Sequence, residues 1–144
     1  MTRNPKDSAP FIGAWTLLSY ELRLPSGVAE KPMGNRPLGR ILYLENGQMS
    51  AQVMGSGSDP LANPDPEEAT MEEASRAWQS YVGYWGRYTV DTAAGVVIHS
   101  VEGAWFPNWV GQEQVRHYRF SGDRLTLEAD SPAWHATLVW QRIE

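Results

Sequence analysis

From Gly39 to Arg142 the chain is a succession of short period-two segments, each closed by a turn signal, and this pattern most constrains what it can become. Gly39 to Glu45 and Gln48 to Met54 flank Asn46-Gly47, a strong hairpin-turn signal. Ala94-Gly95 separates Arg87–Asp91 from Val96–Gly103, and Ser121-Gly122-Asp123 separates Gln112–Phe120 from Arg124–Ala129. A last alternating run covers Trp134 to Arg142, and an early one, Phe11 to Leu24, carries apolar residues on both faces. About eight short strands joined by turns predict an all-β chain. A meander of that length closes most naturally into an antiparallel up-and-down β-barrel, because closure removes the exposed edges. One helix interrupts it between the third and fourth strands. Asp65-Pro66-Glu67-Glu68 supplies an N-cap acceptor, a proline at the first helical position and a dipole-favoured acidic turn. Met71, Ala74, Trp78, Tyr81, Val82 and Trp85 then recur at helical spacing, and Gly83 and Gly86 mark the expected end. Residues 1–10 read as a flexible tail and residues 11–144 as a single domain.

Composition narrows the function classes. At 144 residues without cysteine, the chain can bury a core unaided, and disulfide scaffolds and thiol chemistry are excluded. A formal charge of −5 argues against nucleic acid as the partner. No apolar run is long enough to insert into a membrane, and the polar start MTRNPKDSAP lacks the apolar stretch of a signal peptide, which points to the cytoplasm. The three histidines fall on different segments, so no metal site is expected. Glu67, Glu68, Glu72 and Glu73 read as a solvated helix face. No phosphate loop or nucleophile elbow is present, and no cofactor is expected.

Strand parity sorts the side chains into two faces. Trp15, Leu17 and Ser19, Ile41 and Tyr43, Tyr88 and Val90, Val97, His99 and Val101, Arg116, Tyr118 and Phe120, Leu125 and Leu127, and Leu138 and Trp140 form one consistent inward set. Arg87, Glu102, His117, Arg119, Arg124, His135 and Gln141 fall outside. An arginine and a histidine aimed into an apolar barrel, on strands only ~5 Å apart, are the informative members. Arg116 either pairs with a loop carboxylate such as Glu113 or Glu45 or receives a ligand. Trp105, Phe106 and Trp109 form either a plug or a lid at one rim, and the helix face of Trp78, Tyr81 and Trp85 seals the other opening or lies along the wall.

An ordered series of motifs adds a resemblance. Gly13-Ala14-Trp15, with Trp140 and Arg142 late in the chain, looks like the closed end of lipocalins, where a tryptophan packs near an arginine. Gly47-Gln48-Met49-Ser50, Gly86-Arg87-Tyr88-Thr89-Val90, Val97-x-His99, Pro107-Asn108-Trp109-Val110-Gly111, Arg116 and Leu138-x-Trp140-x-Arg142 are similar to the bacterial and fungal lipocalin-like domain proteins, from Phe11 onward. The resemblance implies a barrel with a lumen. The first expectation is binding of a small hydrophobic or aromatic molecule, anionic ones included, with Tyr43, Tyr88, His99, Trp105, Trp109, Arg116 and Tyr118 as the binding residues. The alternative is a cofactor-independent isomerase, cyclase or lyase. There His99 would act as general acid or base, and Arg116 with a tyrosine such as Tyr88 would stabilise an oxyanion. A barrel packed solid by its own side chains ranks third.

Overall fold

A computed structural model describes residues 5–144. Its strands are β1 (Gly13–Arg23), β2 (Ala29–Glu30), β3 (Leu38–Tyr43), β4 (Gln48–Met54), β5 (Tyr81–Asp91), β6 (Val96–Ala104), β7 (Glu113–Ser121), β8 (Arg124–Ser131) and β9 (Trp134–Arg142). Two short helices accompany them, α1 (Pro5–Ser8) and α2 (Met71–Gln79). Every strand pairs antiparallel with its neighbour, and β1 also pairs with β9, so β1 and β3–β9 close an eight-stranded barrel with β2 attached to the end of β1. The all-β up-and-down barrel read from the sequence is therefore the fold. Because β2 precedes them, the helix follows the fourth strand in the chain, although it still falls between the third and fourth strands of the barrel.

The two ends of the barrel are built differently. The tight turns at Asn46-Gly47, Ala94-Gly95 and Gly122 share one end with the start of β1. There Phe11, at the close of a 3-10 turn, is fully buried against Tyr43, Tyr118 and Phe120, with ring centroids 5.3, 4.9 and 4.9 Å away. Trp15 donates its indole N–H to the Phe11 carbonyl at 2.9 Å. The Arg142 guanidinium lies 4.2 Å over the Trp15 ring and donates to the carbonyls of Ile12 (2.9 Å) and Pro10 (2.7 Å). Cation and backbone acceptors thus lock this end shut, as the lipocalin resemblance implies, and a cation–π contact of a half-exposed arginine contributes about 1 kcal/mol. Residues 5–10, read as tail, form a helical turn with Ser8 buried, and the remainder of that tail lies outside the described residues.

Two readings need correction. The helix is shorter than expected, because Asp65 caps only a 3-10 turn over Pro66–Glu68. α2 starts at a second cap, where Thr70 and Glu73 exchange hydrogen bonds of 3.1 and 3.0 Å. Tyr81, Val82 and Trp85 lie on β5, so that strand begins six residues before Arg87. Aromatic and β-branched residues suit a pleated strand, and their pairing against β4 outweighs the helical spacing they also satisfy. The second correction concerns Ser19. A register shift between Leu17 and Ser19 in the β1–β9 ladder turns Ser19 to solvent and brings Tyr20 into the core in its place.

Candidate functional site

The other end is open. A cavity of about 410 Å³ enters between the start of β5, the end of β6 and the β8–β9 turn. Ile41, Val53, Leu127, Leu138 and Trp140 form apolar walls, Trp105 and Trp109 the rim, and Tyr20, Tyr84, Gln114 and Arg116 the polar face. The volume is that of a site for one small molecule. A second hollow, about 380 Å³, lies on the flank around Thr16, Arg40 and Gln52, where Arg40 is already bonded to Thr16 at 2.8 Å. The lumen is the better candidate because buried polar groups converge on it.

His99 is fully buried, and both of its ring nitrogens meet tyrosine hydroxyls: Tyr43 at Nε2, 2.7 Å, and Tyr84 at Nδ1, 2.6 Å. Burial first, and Arg116 second, pull its pKa down to about 3, so the imidazole is neutral. Burial likewise raises Tyr43 well above the ordinary phenol value, and Arg116 only partly opposes this. Tyr84 is raised by burial and lowered in part by the Arg116 guanidinium, which lies beside its hydroxyl. Tyr20 behaves in the same way. The dominant effect on each is desolvation, and the shared cation is Arg116.

Arg116 uses one N–H on Val115 O (3.2 Å) and one on Gln114 Oε1 (3.1 Å). Among the described residues no carboxylate lies within 4.0 Å of it, neither Glu113 nor Glu45. Its counter-charge is therefore not supplied by the described chain.

The residues expected at the site divide. Arg116, Trp105 and Trp109 line the cavity, and His99 and Tyr43 stand behind Tyr84 as its support. Tyr88 and Tyr118 face inward but belong to the closed end, Tyr88 donating to Leu44 O at 2.8 Å and Tyr118 packing on Phe11. Since His99 does not border the cavity and offers no free ring nitrogen, acid–base chemistry there would have to pass through Tyr84. Trp105, Phe106 and Trp109 pack edge to face around the rim, and Trp78 of α2 tilts against Trp105 at 5.1 Å. The helix therefore borders the same opening as the aromatic loop rather than the opposite one.

Tyr84 is the residue the sequence reading missed, because it was assigned to the helix. Its signal was present: stepping back by twos from Val90 through Tyr88 and Gly86 reaches Tyr84. The β5–β6 register shifts between Trp85 and Gly86, leaving Glu102 of β6 as the extra residue of a bulge, while Tyr84 keeps the inward parity of β5 and meets His99. That bulge needs glycine, since a Cβ at Gly86 would sit 2.0 Å from the Ser100 carbonyl oxygen.

A closed barrel with one plugged end, a Gly-x-Trp/Arg lock and an aromatic lumen is the lipocalin type. The chain belongs to the Lipocalin-like domain family, whose model matches residues 12–143. It is similar to the 4'-hydroxy-3'-methoxypropiophenone carrier protein ppsC of Aspergillus oryzae, 38% identical over 90 residues that span 58% of this chain and 81% of that one. Among solved structures it is similar to the REP1-NXSQ fatty acid transporter, with a TM-score of 0.44 and 11% identity over 94% of this chain and 98% of the other. No helix among the described residues is long and apolar enough to cross a membrane.

Proposed function

We propose that the chain binds a small aromatic molecule in the barrel lumen and acts as its carrier, with Arg116 as the polar anchor. The observation that carries this is the cation itself: a guanidinium facing an aromatic cavity with no carboxylate partner among the described residues. Half-buried at the mouth of this lumen and without a counter-charge, the guanidinium is placed to receive an oxygen of a ligand. The relative named as a carrier of a hydroxylated aryl ketone supports the same class of ligand, and a 410 Å³ lumen suits one ring with a short substituent. Trp105 and Trp109 at the rim would report occupancy. Titration of the protein with 4-hydroxyacetophenone, followed by tryptophan quenching and calorimetry, should show one saturable site. In Arg116→Met an oxygen-anionic ligand should bind at least about tenfold more weakly, the lower bound of a charge-assisted hydrogen bond at ~1.5 kcal/mol. If no aromatic compound bound at millimolar concentration and none copurified with the protein, the carrier reading would fail.

A further inference from the structure

The hydrogen-bond inventory behind the lumen decides which way Tyr84 points its proton. The Tyr43 hydroxyl is fully buried, and its one partner among the described residues is His99 Nε2. A neutral imidazole has one donor and one acceptor. If Nε2 carried the proton, the Tyr43 O–H would be left buried without an acceptor, which costs about 1–3 kcal/mol. The satisfied arrangement has Tyr43 donating to Nε2 and Nδ1–H donating to the Tyr84 oxygen. The Tyr84 O–H is then free to donate into the cavity. The remaining polar groups around the lumen have the same sense. Trp105 Nε1 and Trp140 Nε1 are buried with no acceptor, and both residues line the cavity. The Gln114 carbonyl is already taken by Arg116. Asp130, the lining carboxylate, is engaged at the rim with His135. The lumen therefore presents donors in excess and asks for acceptor oxygens.

We propose that the lumen takes phenolic ligands as phenolates, their oxygen received jointly by the Tyr84 hydroxyl and the Arg116 guanidinium, with Tyr43 and His99 as positioning residues that hold Tyr84 as a donor. This rests on the lumen being the binding site. Two features favour a single phenolate oxygen over a carboxylate. Both terminal nitrogens of Arg116 already spend a proton on Val115 and Gln114, which disturbs the fork that a bidentate carboxylate needs. A phenol also enters an apolar cavity neutral and then releases its proton to solvent through the open rim as the donors take up the oxygen, whereas a carboxylate must shed its hydration first.

The test uses 4-hydroxyacetophenone, whose ionised form absorbs at longer wavelength than its neutral form, beside 4-methoxyacetophenone, which cannot ionise, and benzoate. With the wild-type protein the bound hydroxy probe should show the phenolate band at a pH where the free probe is neutral. Its apparent pKa should fall by at least one unit, a tenfold preference for the anion. Tyr84→Phe and Tyr43→Phe should each shrink that shift, the second although Tyr43 does not line the cavity. Binding of the hydroxy probe with its band still neutral would overturn the inference and leave the carrier reading standing. Binding of neither ketone would overturn both. An unchanged band in Tyr43→Phe would remove the positioning role, and benzoate competing tenfold better than the hydroxy probe would replace phenolate by carboxylate.

Discussion

Tyr43→Phe isolates one hydroxyl at the centre of the molecule and keeps its packing. The ring remains between Tyr88 at 4.8 Å and Phe11 at 5.3 Å, so no cavity opens. What changes is His99, which loses the partner on Nε2 while remaining at 0% exposure. Moving the proton to Nε2 does not help, since the N–H then lacks an acceptor. One ring nitrogen stays unsatisfied in either tautomer, at a cost of about 1–3 kcal/mol. For a domain of this size that corresponds to a fall in Tm of roughly 3–10 °C. Urea unfolding monitored by tryptophan fluorescence should show the loss as a lower midpoint at unchanged slope. Adding His99→Leu should restore part of it, because replacing both partners by apolar groups removes the unmet hydrogen bond. A Tyr43→Phe protein within about 0.5 kcal/mol of wild type, below the range for a lost buried partner, would refute the claim that this hydroxyl satisfies His99.

Other outcomes follow from the same contacts. Phe11→Ala should cost about 3–5 kcal/mol in denaturant midpoint, because it empties the plug of the closed end; a loss under 1 kcal/mol would mean that the turn before β1 is not part of the core. Gly86→Ala and Gly103→Ala should differ sharply. The added methyl at Gly86 meets the fixed Ser100 carbonyl, whereas at Gly103 it meets the ring of Trp85, which is 57% exposed and free to move aside. Overpacking of about 3 kcal/mol or more is expected at Gly86 and about 1 at Gly103, with comparable losses in thermal melts contradicting the argument. Protonated His135 donates at both nitrogens, to Asp130 and Glu128, and these hydrogen bonds raise its pKa above 6.5. Its contribution is therefore full below 6.5 and is lost as pH rises through the raised folded value. At 39% side-chain exposure it amounts to a few tenths of a kcal/mol. The stability gap between wild type and His135→Gln should narrow from pH 6 to pH 9, and a constant gap would exclude this linkage.

The strands after Asp91 were legible because each is bounded by a glycine turn and alternates without interruption, so their inward residues followed from parity. The helix boundary was not, since Tyr81, Val82 and Trp85 continue the helical spacing of Trp78 although they belong to the strand. Only pairing with β4 decides between helix and strand. Tyr84 was lost with that boundary, and with it the contact that gives His99 its second partner. Ser19 and Tyr20 exchanged faces through a bulge that depends on how β1 meets β9, more than a hundred residues later in the chain. The polar groups of the site followed the same division: an inward arginine and histidine were visible from alternation, whereas the hydrogen bonds that join Tyr43, His99 and Tyr84 depend on distances between three strands.

The closure of the barrel by β1 on β9 also bears on how the protein is made. β1 leaves the ribosome well before its second neighbour, β9, which lies more than a hundred residues further along the chain. Until then the edge of β1 that will pair with β9 is open along its length, and the Arg142 lock over Trp15 does not exist. An unpaired edge is a template for association with other chains. Truncations that remove β9 should therefore yield insoluble protein rather than a shorter barrel, and the residues of β9 govern whether β1 ever finds its place.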